Sequence, residues 1–141
     1  MLNKEFVEKK VSLIEEDIKR LKDFGNMTAE EIFLNYEKQA TVERLMERII
    51  ARAIDINQYL IRQLNKDVIP QNYRQTFLIL SDLGIYDEKF GERISKSIGI
   101  RNVLIHDYDK IDYKLLYSSI SDCISDYIKY CNYIIDFLSR N

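Results

Sequence analysis

Residues that interrupt regular structure are scarce in this chain, which has four glycines and one proline among its 141 residues. Neither residue type occurs between Gly25 and Pro70 or after Gly99. A sheet of many strands needs many turns, and glycine and proline supply a large share of them. The chain is therefore predicted to fold into long helices joined by few connections.

Apolar residues recur at helical spacing in four long segments. They predict helices over about residues 3–24, 36–65, 87 to beyond 105, and 112–138. Shorter helices are predicted after a capping box at Thr28 and Glu31 and between Pro70 and Gly84. The second long segment has so wide an apolar face that it is predicted to be buried against several neighbours. The predicted fold class is all-α, an up-and-down bundle of four to five helices forming a single domain over residues 1–141.

The formal net charge is −2, so no positive field surrounds the whole molecule to attract nucleic acid. An RNA-handling function would therefore require positive charge concentrated in a cleft. Aspartates outnumber basic residues from Asp107 to the end of the chain. A basic patch is accordingly predicted on the first two-thirds of the sequence.

Cysteine usage and hydropathy predict a reduced, cytoplasmic protein. Cys123 and Cys131 are eight residues apart on one predicted helix, which separates them by roughly 12 Å, too far for a disulfide. Neither these cysteines nor the single histidine belongs to a metal-ligand cluster, so no metal or other cofactor is predicted. The N-terminus lacks the apolar core of a signal peptide, and no apolar run is long enough to span a bilayer.

One segment departs from the pattern of apolar stripe and charged surface, and it runs from Ser97 to Tyr108. Arg101 lies seven residues after Ile94 and four before Ile105, on the predicted inner side of the third long helix. A guanidinium there must be paired or must face a cleft or a partner, because an unpaired buried charge is costly. Gly99 removes a side chain at a point where something is expected to approach closely.

Arg101 and His106 are five residues apart and would point about 140° apart on an ideal helix. Either the helix ends near Ile105, or a second subunit supplies its own arginine and histidine. Metal-free RNA cleavage needs one group to deprotonate the 2′-hydroxyl and another to protonate the leaving oxygen. A two-fold homodimer with this segment on its axis would bring two histidines and two arginines into one cleft. Arginine suits a phosphate, and histidine suits proton transfer near neutral pH.

The same residues also fit structural roles. Arg101 would serve equally as an ion-pair partner, for example of Asp55, and a histidine at a helix C-terminus interacts favourably with the helix dipole. Arginines recur every four residues at Arg44, Arg48 and Arg52, where they would either flank an RNA groove or form a solvated face. The tyrosines of the last helix are predicted to pack in the core rather than to stack on bases.

The string from Arg101 to Tyr108 reads R-x4-H-x-Y and resembles the signature of HEPN ribonucleases, in particular the HepT toxins. The resemblance includes the polar Asn102 after the arginine. It extends to the residues 42–45, 73–77 and 111–113, and so covers the chain from about Thr28 to its end.

This resemblance implies a dimeric, metal-independent endoribonuclease, the toxin of a type VII-like toxin–antitoxin system. Arg101 would hold the scissile phosphate, His106 would act as acid or base, and Asn102 would position the substrate. The implied partners are RNA, a second copy of the chain and an MNT-type nucleotidyltransferase antitoxin that transfers AMP to Tyr108, whose bulk and charge would block the cleft. The alternative is a non-catalytic subunit that binds nucleotides or docks a nucleotidyltransferase.

Overall fold

The computed structural model describes residues 2–106, 109 and 111–141. These residues form seven helices and no strand: α1 (Lys4–Lys22), α2 (Ala29–Phe33), α3 (Tyr36–Leu64), α4 (Tyr73–Asp82), α5 (Glu88–Ser95), α6 (Ser97–His106) and α7 (Tyr113–Ser139). The predicted all-α bundle is therefore confirmed. The described part has two helices more than the predicted upper limit, because α2 is a separate helix and the third predicted long helix is divided into α5 and α6.

Polar side chains set the starts of the helices. Thr28 and Glu31 form the predicted capping box, and the N-cap residues Asp87 and Asp112 accept hydrogen bonds from backbone N–H groups of the first turns of α5 and α7. At the other end of α4, Gly84 has φ of +79°, a left-handed conformation that glycine adopts without steric cost. The α4–α5 connection is therefore tight, which keeps these two helices packed together.

Helix α3 is the centre of the bundle and packs against α1, α2, α4, α6 and α7. Its buried residues recur around more than one face of the helix, as its wide apolar pattern predicted. Helix α1 packs against both α3 and α7, and α4 packs against α5 and α3. None of the helices in the described ranges has the length and apolarity needed to cross a membrane.

The prediction of one continuous helix from Asp87 past Ile105 is wrong, because the helix breaks at Lys96. The N–H of Lys96 donates to the carbonyl of Arg93, three residues earlier. The Ser97 hydroxyl donates to the carbonyl of Ile94 at 2.7 Å, and serine bonds of this kind compete with the helical ladder. Ile105, predicted to face the core, is 39% exposed.

Candidate functional site

Helix α6 carries three of the four candidate site residues. Arg101 is half-buried, whereas Asn102 and His106 are exposed. His106 is the last residue of α6 within the described part of the chain. The fourth candidate, Tyr108, lies outside the described residues, as does Asp107.

Arg101, Asn102 and His106 all line one cleft of about 1160 Å³. The cleft is bounded by the end of α3, the connection to α4, the first turn of α4, the α5–α6 break and α6. The sequence separation of five residues is therefore compatible with a shared cleft on a single chain. Gly99 also lines this cleft, and a Cβ added to it would meet no atom of the described chain within 4 Å. The close approach predicted at Gly99 is thus not made by the described residues of this chain.

The cleft is strongly basic. The five cationic side chains that line it are Arg62, Lys66, Arg74, Lys96 and Arg101. Within the described part of the chain, no carboxylate lines the cleft and none of these five side chains forms an ion pair. A protein of net charge −2 therefore concentrates positive charge in one concave surface, as RNA handling would require.

The alternative that Arg101 pairs with Asp55 is wrong, because Asp55 binds Lys10 at 3.0 Å. The guanidinium of Arg101 instead lies over the ring of Tyr73, with Cζ 4.6 Å from the ring centroid. Its Nη1 donates to Oδ1 of Asn102 at 3.3 Å. Its Nε is buried and has no hydrogen-bond acceptor among the described residues. The arginine is therefore held in the cleft without a carboxylate from the described residues.

The arginine row on α3 has a structural role at two of its three positions. Arg52 and Arg48 bind the buried carboxylate of Asp17 on α1, at 2.6 and 3.3 Å. The interpretation of this row as the flank of an RNA groove is therefore wrong for these two residues. Arg44, the third member, is exposed and does not line the cleft.

The other candidate reactive groups of the described chain are buried. Cys123 and Cys131 are free thiols, and burial raises the pKa of each to about 12. A thiol with so high a pKa is a poor nucleophile at neutral pH. Tyr127 and Tyr130 are fully buried, which confirms that these tyrosines of the last helix pack in the core.

Sequence reasoning missed the wall of the cleft opposite α6. Tyr73 and Arg74 are indicated only by the family resemblance, and no sequence pattern indicates Arg62 or Lys66. These residues come from α3, its C-terminal connection and α4, so no spacing in the sequence brings them together. The sequence does contain one local indication of this wall, because basic and aromatic residues lie on both sides of Pro70.

The described residues form an all-helical fold with the R-x4-H motif in a basic cleft. The family model described as Ribonuclease HepT-like matches residues 14–134, and the chain belongs to this family. The predicted enzyme class, a ribonuclease of the HepT type, is thereby confirmed at the level of the family.

Two relatives illustrate the match in sequence. The tRNA nuclease HepT of Aphanizomenon flos-aquae is 30% identical over 132 residues, which are 94% of this chain and 89% of that protein. The mRNA nuclease HepT of Shewanella oneidensis is 23% identical over 126 residues, which are 89% of this chain and 92% of that protein. Both alignments extend over nearly the whole of each chain.

Solved structures share the fold. A tri-AMPylated Shewanella oneidensis HEPN toxin in complex with MNT antitoxin superposes with a TM-score of 0.83 at 21% identity, covering 96% of this chain and 99% of that chain. The cytosolic protein YutE from Bacillus subtilis, of unknown function, gives a TM-score of 0.84 at 18% identity, covering 99% and 92%. The helical arrangement is therefore that of known HEPN toxins.

Proposed function

We propose that this chain is the toxin of a toxin–antitoxin system and acts as a metal-independent endoribonuclease in the cleft beside α6. The observation that carries the proposal is that Arg101, Asn102 and His106 line the same basic, concave surface. Membership of the HepT-like ribonuclease family and the named RNA nucleases among its relatives support it. The whole chain from residue 1 to residue 141 would act as one domain, in the cytoplasm.

In the proposed reaction, the 2′-hydroxyl of a ribose loses its proton and attacks the adjacent phosphorus, and the 5′-oxygen of the next nucleotide leaves with a proton. His106 exchanges these protons with the substrate. Arg101 binds the non-bridging oxygens of the scissile phosphate through the two-pronged fork of its guanidinium. Asn102, which lines the same cleft, positions the substrate. These side chains supply acid–base catalysis and charge stabilisation from the protein alone.

The proposal is tested with purified protein, free of any antitoxin, incubated with RNA in EDTA. Cleavage is expected, because none of the proposed steps uses a metal ion. A preparation that is folded and inert towards RNA would contradict the proposal. Binding of ATP without RNA cleavage would favour the alternative of a nucleotide-binding or docking subunit.

A homodimer is part of the proposal because each chain has one histidine, whereas the reaction has two proton transfers. A two-fold axis beside α6 would place two copies of His106 in a composite cleft. The open space beside Gly99 leaves room for such an approach. Ile105 lies one turn after Arg101 on the same side of α6 and is 39% exposed, so it offers an apolar contact to the partner.

Ile105→Asp is therefore expected to convert the dimer into monomers and to reduce RNA cleavage at least about tenfold, because a buried unpaired carboxylate opposes association. Sedimentation or light scattering measures the mass, and the same sample is assayed for cleavage. Leu34→Asp is the matched control, since Leu34 is 85% exposed at the end of α2 and far along the chain from α6. A dimeric Ile105→Asp variant, or an active monomer, would count against the composite site.

The basic wall of the cleft is proposed to bind RNA phosphates on either side of the cleaved one. Each phosphate neutralised on a single strand contributes about −0.7 to the slope of log K against log salt concentration. The double variant Arg62→Gln, Lys66→Gln should therefore have a slope smaller in magnitude by roughly 1.4. Binding is measured with a short single-stranded RNA in a His106→Ala background, which prevents cleavage.

The matched control for the salt experiment is Arg44→Gln, which removes an exposed arginine from the same helix as Arg62 but outside the cleft. The control is expected to leave the slope unchanged. Equal slopes for the control and the double variant would show that the wall does not contact RNA, even if the protein cleaves it.

The proposed antitoxin is an MNT-type nucleotidyltransferase that transfers AMP from ATP to the hydroxyl of Tyr108, releasing pyrophosphate. The solved complex of a tri-AMPylated HEPN toxin with MNT antitoxin supports this partner and this chemistry. Tyr108 follows His106 by two residues, so an attached AMP would lie close to the end of α6. Its bulk and negative charge would exclude RNA and repel the phosphates of the substrate.

A further inference from the structure

Tyr73 makes a contact that joins the α4 wall of the cleft to α6. It is the first residue of α4 and is 40% exposed. The guanidinium of Arg101 on α6 lies over its ring at 4.6 Å. A guanidinium is attracted to an aromatic face by the ring quadrupole and stacks on it as a flat group. The direction of the Arg101 side chain is therefore linked to the position of Tyr73.

The other contacts of Arg101 define its direction poorly. Nη1 donates to the side chain of the neighbouring Asn102 at the long distance of 3.3 Å. Nε is buried without an acceptor among the described residues. This part of the side chain is therefore not held by a hydrogen bond from the described chain. The ring of Tyr73 is the remaining contact that orients the guanidinium plane.

A buried chain of hydrogen bonds holds Tyr73 itself. The hydroxyl of Thr76 donates to the carbonyl oxygen of Tyr73 at 2.7 Å, and Asn57 Nδ2 donates to that hydroxyl at 3.1 Å. The phenol of Tyr130 donates to Asn57 Oδ1 at 2.6 Å. Burial raises the pKa of Tyr130 well above its usual range, so the phenol keeps the proton that it donates. This chain of hydrogen bonds thus links α7, α3 and α4 and ends at the first residue of α4.

We propose that Tyr73 is a positioning residue that orients the Arg101 guanidinium towards the scissile phosphate. The proposal rests on the ribonuclease function proposed above for the same cleft. Asn57, Thr76 and Tyr130 are each 0% exposed, so the bundle core fixes the backbone from which the ring of Tyr73 projects. A displacement of a catalytic group by about 1 Å can cost on the order of a hundredfold in rate, which makes such an anchor functionally important.

The test compares Tyr73→Leu with Tyr73→Phe. Leucine removes the aromatic face and is expected to lower kcat for RNA cleavage at least about tenfold, with KM changed less than about twofold. Phenylalanine retains the face and is expected to keep kcat within about twofold of wild type. Tyr36→Leu removes an exposed tyrosine at the start of α3, outside the cleft, and is expected to leave both constants unchanged. Unaltered kcat in Tyr73→Leu, or an equal loss in Tyr73→Phe, would overturn the assignment.

A spectroscopic measurement tests the same contact without RNA. The Nε–Hε resonance of Arg101, assigned by its disappearance in Arg101→Lys, should show a ring-current shift in wild type and in Tyr73→Phe. In Tyr73→Leu it should move to the position of an unstacked arginine. An unshifted wild-type resonance would overturn the positioning role while leaving the proposed function standing. Failure of the wild-type protein to cleave RNA would overturn the proposed function and the role of Tyr73 in it, even where the shifted resonance shows that the ring and the guanidinium are stacked. The wild-type spectrum decides the matter even if the leucine variant does not fold.

Discussion

Replacing His106 with glutamine or alanine is expected to reduce the rate of RNA cleavage by about 10²–10⁴-fold, because these side chains cannot exchange a proton with the substrate. Arg101→Ala is expected to lose about 10²–10³-fold, the range found when a donor to a developing negative charge is removed. Arg101→Lys should retain part of the lost activity, since a lysine keeps the charge but not the bidentate fork. Rates are measured with purified protein in EDTA, on RNA cut by the wild type.

The controls for this series distinguish a catalytic role from damage to the fold. His106 is exposed, so its variants are expected to melt within a few degrees of wild type, as surface substitutions do. Arg44→Gln should cleave RNA at the wild-type rate because Arg44 lies outside the cleft. Cleavage that persists at the wild-type rate in folded His106→Ala would show that another group carries the proton transfer.

The second large effect is expected at Tyr108. Incubation with an MNT-type nucleotidyltransferase and ATP should silence the wild-type toxin, since the attached AMP is an anion beside a phosphate-binding cleft. Tyr108→Phe lacks the accepting hydroxyl and should remain fully active under the same conditions. Intact mass reports the additions of AMP, and RNA cleavage is measured on the same samples.

Tyr113→Phe is the matched control for this experiment. Tyr113 is the first residue of α7 and is 38% exposed, and its hydroxyl accepts a hydrogen bond from Gln39. The control variant should be modified and silenced like wild type. If Tyr108→Phe still gains AMP and loses activity in proportion, then Tyr108 is not the residue through which the toxin is silenced.

The bundle could be predicted from the sequence because its determinants are local. The caps at Thr28, Asp87 and Asp112 lie within the turns that they stabilise, and the apolar spacing of α3 is read directly along the chain. The break at Lys96 could not be predicted in the same way. Ser97, the residue after the break, also forms a hydrogen bond with Tyr127 of α7, 2.7 Å long, and no pattern near residue 96 reports a contact thirty residues away.

The candidate site was likewise predictable only where its determinants are local in the sequence. Arg101 interrupts the apolar pattern of its segment, and this interruption indicates a residue with a special role. The family resemblance indicates what that role is. The stacking of Tyr73 on Arg101 and the cations of Arg62 and Lys66 arise only when three helices come together. Periodicity describes one helix at a time, so a cleft between helices lies beyond it.

The interruption at Lys96 also allows α6 and the core helix α3 to differ in the free energy at which each opens locally. Helix α6 has two buried residues, Ile98 and Leu104, whereas α3 has twelve. Segments with little buried apolar surface open at a lower free energy than the core, and a continuous helix would have tied α6 to α5. Amide hydrogen exchange in α6 should accordingly be faster than in α3. Local opening of α6 would then uncover the candidate site residues while the rest of the protein stays folded.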